Sequence, residues 1–289
     1  MYSFKNTITL AMLTLNCKGK IILVEKPMVM GILNATPDSF YKGDLPSGTE
    51  GMIERAGKMI KEGAAIIDIG GQSTRPGSKR VSIDEEMKRV LPVIKAIHHS
   101  FPGILISVDT YQSTVAGEAV NAGAHIINDI SGGTLDEAMI QTVASLEVPY
   151  ICMHMKGEPG TMQQEARYTN VVAEVLGFFF KKIGVCRDAG IHDIIIDPGF
   201  GFAKTASHNF QLLNHLHFFR SLGVPLLAGL SRKSTIYKTL GVPVEEALNG
   251  STVLHTIALL NGADILRVHD VKEAVEAVKL VEKYKECKM

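Results

Sequence analysis

The sequence predicts an α/β fold, a single (β/α)8 TIM barrel preceded by a short β-hairpin. Three observations carry that expectation. Eight short apolar runs follow one another along the chain, a stretch of helical spacing comes after each, and polar or glycine-rich residues gather at the ends of the runs. Alternating strands and helices imply parallel pairing, and near-continuous apolar strands imply burial on both faces. Eight units in one chain point to closure, with an open doubly wound sheet as the alternative.

Residues 8–17 are moderately apolar and follow Lys5. Asn16 stands where an export-signal cleavage site needs a small residue, so the segment reads as two short strands around Lys18-Gly19-Lys20. The chain therefore divides into an extension, 1–26, and a barrel, 27–289. The barrel runs are 28–33, 65–69, 104–108, 125–130, 148–153, 193–196, 224–230 and 263–268. The helical stretches are 49–62, 82–99, 112–121, 136–146, 165–188, 207–221, 250–261 and 270–285. No linker or low-complexity segment divides them.

Composition narrows the partners. Of 289 residues, 46% are hydrophobic, enough for a large core, and 30 Lys+Arg balance 30 Asp+Glu. A neutral chain offers no bulk attraction to nucleic acid or an anionic membrane, and no apolar run is long enough to span a bilayer. The cysteines Cys17, Cys152, Cys186 and Cys287 form no CxxC pair. Reduced packing thiols in a cytoplasmic protein fit that spacing.

Candidate site residues cluster just after the apolar runs: Asn34, Ser73-Thr74-Arg75, Asp109, Asn128-Asp129, Asp197, Ser231-Arg232-Lys233, and Arg267 with His269. Parallel barrels bring those strand ends together on one face. Singly, each is explained as a helix cap; at seven strand ends together, convergence on a site is the better account. Asp109, Asn128 and Asp197 lack the histidines of zinc chemistry. They suit a flat heterocycle with adjacent N–H donors, and Lys233 adds a donor for a ring carbonyl or nitrogen. A 2-amino-4-oxo pyrimidine edge has that pattern. Arg267 and His269 project to one side. With Thr74, Arg75 and the neutral oxygen of Asn34 they fit a diphosphate accompanied by Mg²⁺, held mostly by phosphate and water. Residues 35–48 and 71–82 are long Gly/Pro/Ser-rich loops, read as lids.

Eight segments now carry a resemblance. MGILNATPDSF (30–40), IIDIGGQSTRPG (66–77), SVDT (107–110), NDISG (128–132), MHMKG (153–157), IIIDPGFGFAK (194–204), GLSRKS (229–234) and GADILRVHDV (262–271) resemble, in order, the blocks of the dihydropteroate synthase family of pterin-binding enzymes. The resemblance implies a transferase of folate biosynthesis. It would condense 7,8-dihydropterin-6-ylmethyl diphosphate with p-aminobenzoate, giving 7,8-dihydropteroate and diphosphate, and would be a homodimer through helices 207–221 and 250–285 and a sulfonamide target. By the family pattern Asp109, Asn128, Met153, Asp197, Phe202 and Lys233 hold the pterin. Asn34 binds Mg²⁺, while Thr74, Arg267 and His269 hold the diphosphate, to which the residue-level reading adds Arg75. Phe40, Pro76, Lys233 and Ser234 border the p-aminobenzoate pocket, with the helix after Ser234 receiving its carboxylate. Asp109, Lys233, Arg267 and Asn34 are the expected catalytic set, for a loose displacement in which Asp109 stabilises a cationic methylene and the loops exclude water.

Gln72 stands where the family often has Glu, and Tyr41-Lys42-Gly43-Asp44 replaces its Ser-Asp-Gly-Gly. A pterin-binding methyltransferase barrel would share the Asp, Asn and Asp ligands without needing GLSRKS and RVHDV. A non-catalytic pterin-binding paralogue should have lost Lys233, Asn34 or the 71–77 loop. His215 and His217 read as surface residues, since two apart on a helix they diverge, and Phe178-Phe179-Phe180 reads as core or interface.

Overall fold

The fold is known from a computed structural model that describes residues 13–36, 48–73, 78 and 80–287. It opens with the hairpin β1 (Thr14–Cys17) and β2 (Lys20–Leu23), paired antiparallel. Lys18 and Gly19 between them have φ of 52° and 83°. Positive φ at both central residues makes the two-residue turn whose twist matches a hairpin, and glycine takes the second position without strain.

Eight strands then alternate with helices: β3 (Met28–Asn34), α1 (Gly48–Glu62), β4 (Ile66–Gly70), α2 (Ile83–Ser100), β5 (Leu105–Asp109), α3 (Ser113–Asn121), β6 (Ile126–Asp129), α4 (Met139–Leu146), β7 (Tyr150–Met153), α5 (Val171–Asp188), β8 (Ile194–Asp197), α6 (Ala206–Asn214), β9 (Leu227–Ala228), α7 (Ser234–Leu240), α8 (Leu248–Leu260), β10 (Ile265–Val268) and α9 (Val271–Glu286). The strands are parallel in the order β8-β7-β6-β5-β4-β3-β10-β9, and a single parallel bridge, Ile196 to Leu226, completes the ring. The barrel is the expected one.

Boundaries differ in instructive places. The stretch expected to be helical from 136 starts at Met139 because the Asp136 carboxylate is engaged elsewhere, accepting from the Ser113 and Ala138 amides at 2.7 and 3.0 Å. The stretch 165–188 is a 3-10 turn (Met162–Glu165) followed by α5, which Asn170 caps through the Ala173 amide. The stretch 207–221 is likewise α6 followed by a separate 3-10 turn, Leu216–Leu222. Helix α7, which the resemblance implies after Ser234 but which the apolar spacing does not show, occupies Ser234–Leu240. At seven residues it is too short for its periodicity to stand out.

Strand side chains alternate between two cores. Ile67, Ile69, Ile106, Val108, Ile127, Cys152 and Ile196 face the helices. Met30, Ile66, Leu105, Ile126, Ile151, Ile195, Leu227 and Ile265 form one aliphatic layer inside the barrel, joined by Leu15 and Cys17 of the hairpin. These are residues from the N-terminal halves of the strands, so the hairpin plugs the barrel's lower mouth. Lys18 ties the plug down, its Nζ donating to the Val120 carbonyl at 3.0 Å.

Leu15 is fully buried in that layer. Leu15→Ala should therefore cost about 2–5 kcal/mol through lost burial and a residual cavity. Urea unfolding should show a lower midpoint; an unchanged midpoint would mean that the plug adds nothing to the barrel's stability.

Candidate active site

One step of two residues up each strand, the barrel interior changes character. Above Ile66 stands Asp68, above Leu105 Ser107 and then Asp109, above Ile126 Asn128, above Ile151 Met153, above Ile195 Asp197 and above Ile265 Arg267. The two-residue period keeps all of them on the inward face. Register sets their height: Asn34 pairs with Gly70, Gly70 with Asp109, and Asp109 with Asn128. Gly70 has no side chain, so the space between Asn34 and Asp109 stays open; a Cβ there would lie 3.4 Å from that of Asp109.

Arg267 is the hub. Its Nε donates to Asp68 Oδ2 at 2.6 Å and its second guanidinium nitrogen to Asp109 Oδ2 at 2.5 Å. Asn128 Nδ2 also donates to Asp68 Oδ2, at 3.1 Å. Burial alone would make the guanidinium easier to deprotonate, but the two carboxylates more than reverse this and hold it charged. Burial raises the Asp109 carboxyl above the ordinary range; Arg267 opposes that rise and Asp68 adds to it. A carboxylate in such surroundings responds strongly to any positive charge that develops beside it.

Lys233 approaches from the turn after β9. Its Nζ donates to the Phe200 carbonyl and lies 4.8 Å from the centre of the Phe202 ring. Burial lowers it to about 8, against the attraction of Asp197. Burial also raises Asp197, opposed first by Lys233. Asp197 Oδ1 accepts the Gly199 amide at 2.7 Å. A Cβ at Gly229 would meet Asp197 Oδ2, Lys233 Nζ and Arg267 Cβ at 3.7, 3.7 and 3.9 Å. Three side chains thus converge over a residue without one.

The turn that delivers Lys233 is strained. Arg232 has φ 53°, in the left-handed region that a non-glycine residue rarely adopts. Its amide donates to Ser251 Oγ at 3.0 Å, and its guanidinium forks onto Asp270 at 2.8 and 2.6 Å. Arg232 is therefore a strut. The neighbouring loop is pinned as firmly. Gly201 donates to Asn209 Oδ1 at 2.8 Å, and Asn209 Nδ2 donates to Thr235 Oγ1 of α7 at 2.8 Å. Buried Lys204 donates to the Phe202 and His154 carbonyls at 3.0 and 3.3 Å.

Of the residues expected from the sequence, Asn34, Asp109, Asn128, Met153, Asp197, Lys233 and Arg267 come together at this end of the barrel. Met153 and Phe202 share one apolar cluster. His269 lies at the rim, exposed, with Nδ1 3.1 Å from Ser231 Oγ. Ser234 opens α7 and is exposed. Phe40, Thr74, Arg75 and Pro76 lie outside the described residues, as do the centres of both expected lids. Asp129, grouped with Asn128 in the sequence, turns the other way: it accepts from the Ser131 and Gly133 amides and from Tyr150 Oη, each at 2.7 Å. The inward phase of β6 belongs to Asn128, so Asp129 shapes the loop after it. Gln72 closes the base of the second loop, donating to Tyr111 Oη at 2.5 Å and accepting from the Val81 amide at 3.0 Å. Asp68 is not among the residues expected from the sequence. Its signal was a carboxylate amid the apolar run Ile66–Gly70, in phase with the inward positions.

Among the described residues no group of three or more His, Cys, Asp or Glu is arranged to hold a metal ion. His215 and His217 sit on the surface against Phe218, and Phe179 is core while Phe180 is 75% exposed. Cys17, Cys152 and Cys186 are buried and unpaired.

This architecture is a barrel whose upper interior gathers carboxylates and an amide beside a lysine and an arginine. The family described as pterin binding enzyme matches residues 30–269, and the chain belongs to that family. Within it, the chain is 46% identical to the dihydropteroate synthase of Escherichia coli K12 over 267 residues, 92% of this chain and 94% of that protein. The solved dihydropteroate synthase of Xanthomonas albilineans with 4-aminobenzoic acid superposes with a TM-score of 0.89 at 40% identity, covering 96% of this chain and all of that one. The same organism's enzyme in complex with 7,8-dihydropteroate gives 0.85 at 38% identity, covering 95% of this chain.

Asp197→Asn exchanges an acceptor-only group for one that carries N–H. It should weaken pterin binding by roughly 1–3 kcal/mol, because a ring N–H then faces a donor or goes unpaired. Calorimetric titration with pterin measures this, and equal affinities would remove Asp197 from the ring site.

Proposed function

We infer that the chain is a transferase of folate synthesis, joining 7,8-dihydropterin-6-ylmethyl diphosphate to p-aminobenzoate to give 7,8-dihydropteroate and diphosphate. The observation that carries this is the convergence of Asp197, Lys233 and Arg267 over Gly229, beside Asp109 and Asn128. Groups able to accept from a ring and cations able to bind an anion lie side by side there, which supports a pterin diphosphate as the ligand.

The displacement runs through a loose transition state. The bond from the exocyclic methylene carbon to the diphosphate oxygen breaks, and the electron pair leaves with diphosphate. Positive charge then spreads over the methylene and the ring. Asp109, enclosed and already paired with Arg267, stabilises that charge from a fixed position, which avoids reorganisation during the reaction. The arylamine nitrogen forms the new C–N bond and afterwards loses a proton to water. Arg267, Thr74, Arg75 and His269 bind the diphosphate. Lys233 and Asp197 orient the ring, with Met153 and Phe202 against its face. Phe40, Pro76, Lys233 and Ser234 border p-aminobenzoate.

Asn34 supplies one neutral oxygen near Asp109, which fits Mg²⁺ only as an ion that arrives with the diphosphate and keeps several waters. Bound there, Mg²⁺ would offset the charge of the leaving diphosphate. Product formation from the two substrates tests the whole proposal. Activity should be present, should fall on chelation of divalent cations, and should return with Mg²⁺. No product under any condition would overturn the assignment, and full activity under chelation would remove the metal from it.

A second copy of the chain is the proposed partner, and the α8–α9 face supports it. Val253, Ile257 and Leu260 on α8 and Leu280 and Tyr284 on α9 are all exposed, Leu280 by 72%. Spacing of three and four residues puts the first three on one face of α8 and the last two on one face of α9. Leu260, Leu280 and Tyr284 line one groove between the helices, more apolar surface than scattered residues make. Of the late stretches expected to mediate contact, 250–285 is the one this surface supports. No described helix is long and apolar enough to cross a membrane; a cytoplasmic location is proposed on the buried, unpaired thiols. Sedimentation should find a dimer that Leu280→Arg dissociates. A wild-type monomer at micromolar concentration would refute the partner.

A further inference from the structure

Asp68 lies mid-strand in β4 with its side chain wholly buried. Its Oδ2 accepts from both Arg267 and Asn128. Its Oδ1 is buried with no hydrogen-bond partner among the described residues. The same is true of Ser107 Oγ, on the residue that pairs with Asp68 across β4 and β5. Nothing in the proposed chemistry uses either group.

We propose that Asp68 is the positioning residue that sets the hydrogen-bond polarity of the ring site. It takes the amide nitrogen of Asn128, so that Asn128 keeps its carbonyl oxygen for the ligand, and it holds Arg267 beside Asp109. The proposal rests on the pterin reading of this pocket.

A carboxylate accepts hydrogen bonds and has none to give. Against Asp68, the Asn128 amide therefore has one favourable orientation. Turned over, its oxygen would face the Asp68 oxygen with no proton between them, a buried acceptor pair with no compensation. With that orientation set, Asn128 Oδ1 and Asp197 Oδ2 both present lone pairs to the pocket. The ligand edge must supply N–H groups in return, as a 2-amino-4-oxo ring does. An edge carrying an oxygen in place of the amino group meets acceptors and is rejected. Arg267 gains from the same contact. Its Nε is committed to β4 and one terminal nitrogen to β5, which aims the remaining N–H groups at an anion.

Calorimetric titration of the full-length wild type and of Asp68→Asn with pterin (2-amino-4-oxopteridine) and with the 2,4-dioxopteridine tests this. The wild type should prefer pterin by about 100-fold or more. In Asp68→Asn the facing side chain can itself donate, Asn128 is released to turn over, and the preference should fall by about tenfold or more. An unchanged preference overturns the proposal, and so does an equal loss of affinity for both rings, since that is what a merely structural carboxylate would give. If the wild type fails to bind pterin at all, the pterin reading falls and this proposal with it. A second measurement needs no substitution at 68. In amide-exchange NMR of ligand-free wild type, the Asn128 side-chain signals, identified by their absence in Asn128→Asp, should include a slowly exchanging proton held by Asp68. Rapid exchange of both protons overturns the proposal, and this result decides alone if Asp68→Asn does not fold.

Discussion

A guanidinium inside a barrel is stable only if carboxylates meet it there. Arg267 comes from β10, Asp68 from β4 and Asp109 from β5, so the two bonds of 2.6 and 2.5 Å span the ring. Each charge would be costly to bury alone, and removing one partner from such a set costs about 3–5 kcal/mol. The three strands must therefore keep their register and inward phase together. Low dielectric strengthens the pairs, and the barrel's lower half provides it: eight aliphatic residues and the hairpin plug form an apolar floor under the charged layer. The described part of the extension thus belongs to the apolar floor beneath the charged layer.

The second support is a pair of strained connections at the upper face. Ala203 and Arg232 are both non-glycine residues in left-handed backbone, with φ of 50° and 53°. Such conformations cost on the order of 1–3 kcal/mol each and persist where surrounding contacts over-determine them. Here those contacts are the carbonyls gathered by Lys204 and the fork between Arg232 and Asp270. Lys204 is itself unusual, since burial lowers its ammonium well below ordinary lysine values and Asp197 only partly restores it. Asn209 joins the two connections by bridging Gly201 to Thr235. Lys233 emerges between them, against the Phe200 carbonyl and the Phe202 ring. The loop that carries Phe202 and the helix that starts at Ser234 are consequently tied to each other.

How much of this was legible follows from what each feature depends on. Strand and helix order depends on local periodicity, and eight apolar runs followed by helical stretches announced the barrel. The site residues at strand ends were legible for the same reason: Asp109, Asn128, Asp197 and Arg267 stand where a run of buried aliphatics gives way to polarity. Long-range contacts leave no such trace. Asp68 was hidden because its partners are 60 and 199 residues away in the chain, and nothing near it says that a guanidinium will arrive. Asp129 was grouped with Asn128 because adjacency in sequence conceals that a strand sends neighbours to opposite faces.

The sequence by itself determined the alternation of elements, the hairpin with its Lys18-Gly19 turn, and the family to which its eight blocks belong. Those are properties of short segments, set by backbone sterics and by the spacing of apolar side chains. Tertiary structure decided which carboxylates enclose Arg267, which strained turn delivers Lys233, and that the hairpin seals the barrel floor. Each of these needs the ring to close before its two sides can meet. Pairing across a barrel is a property of closure, and no segment carries it alone.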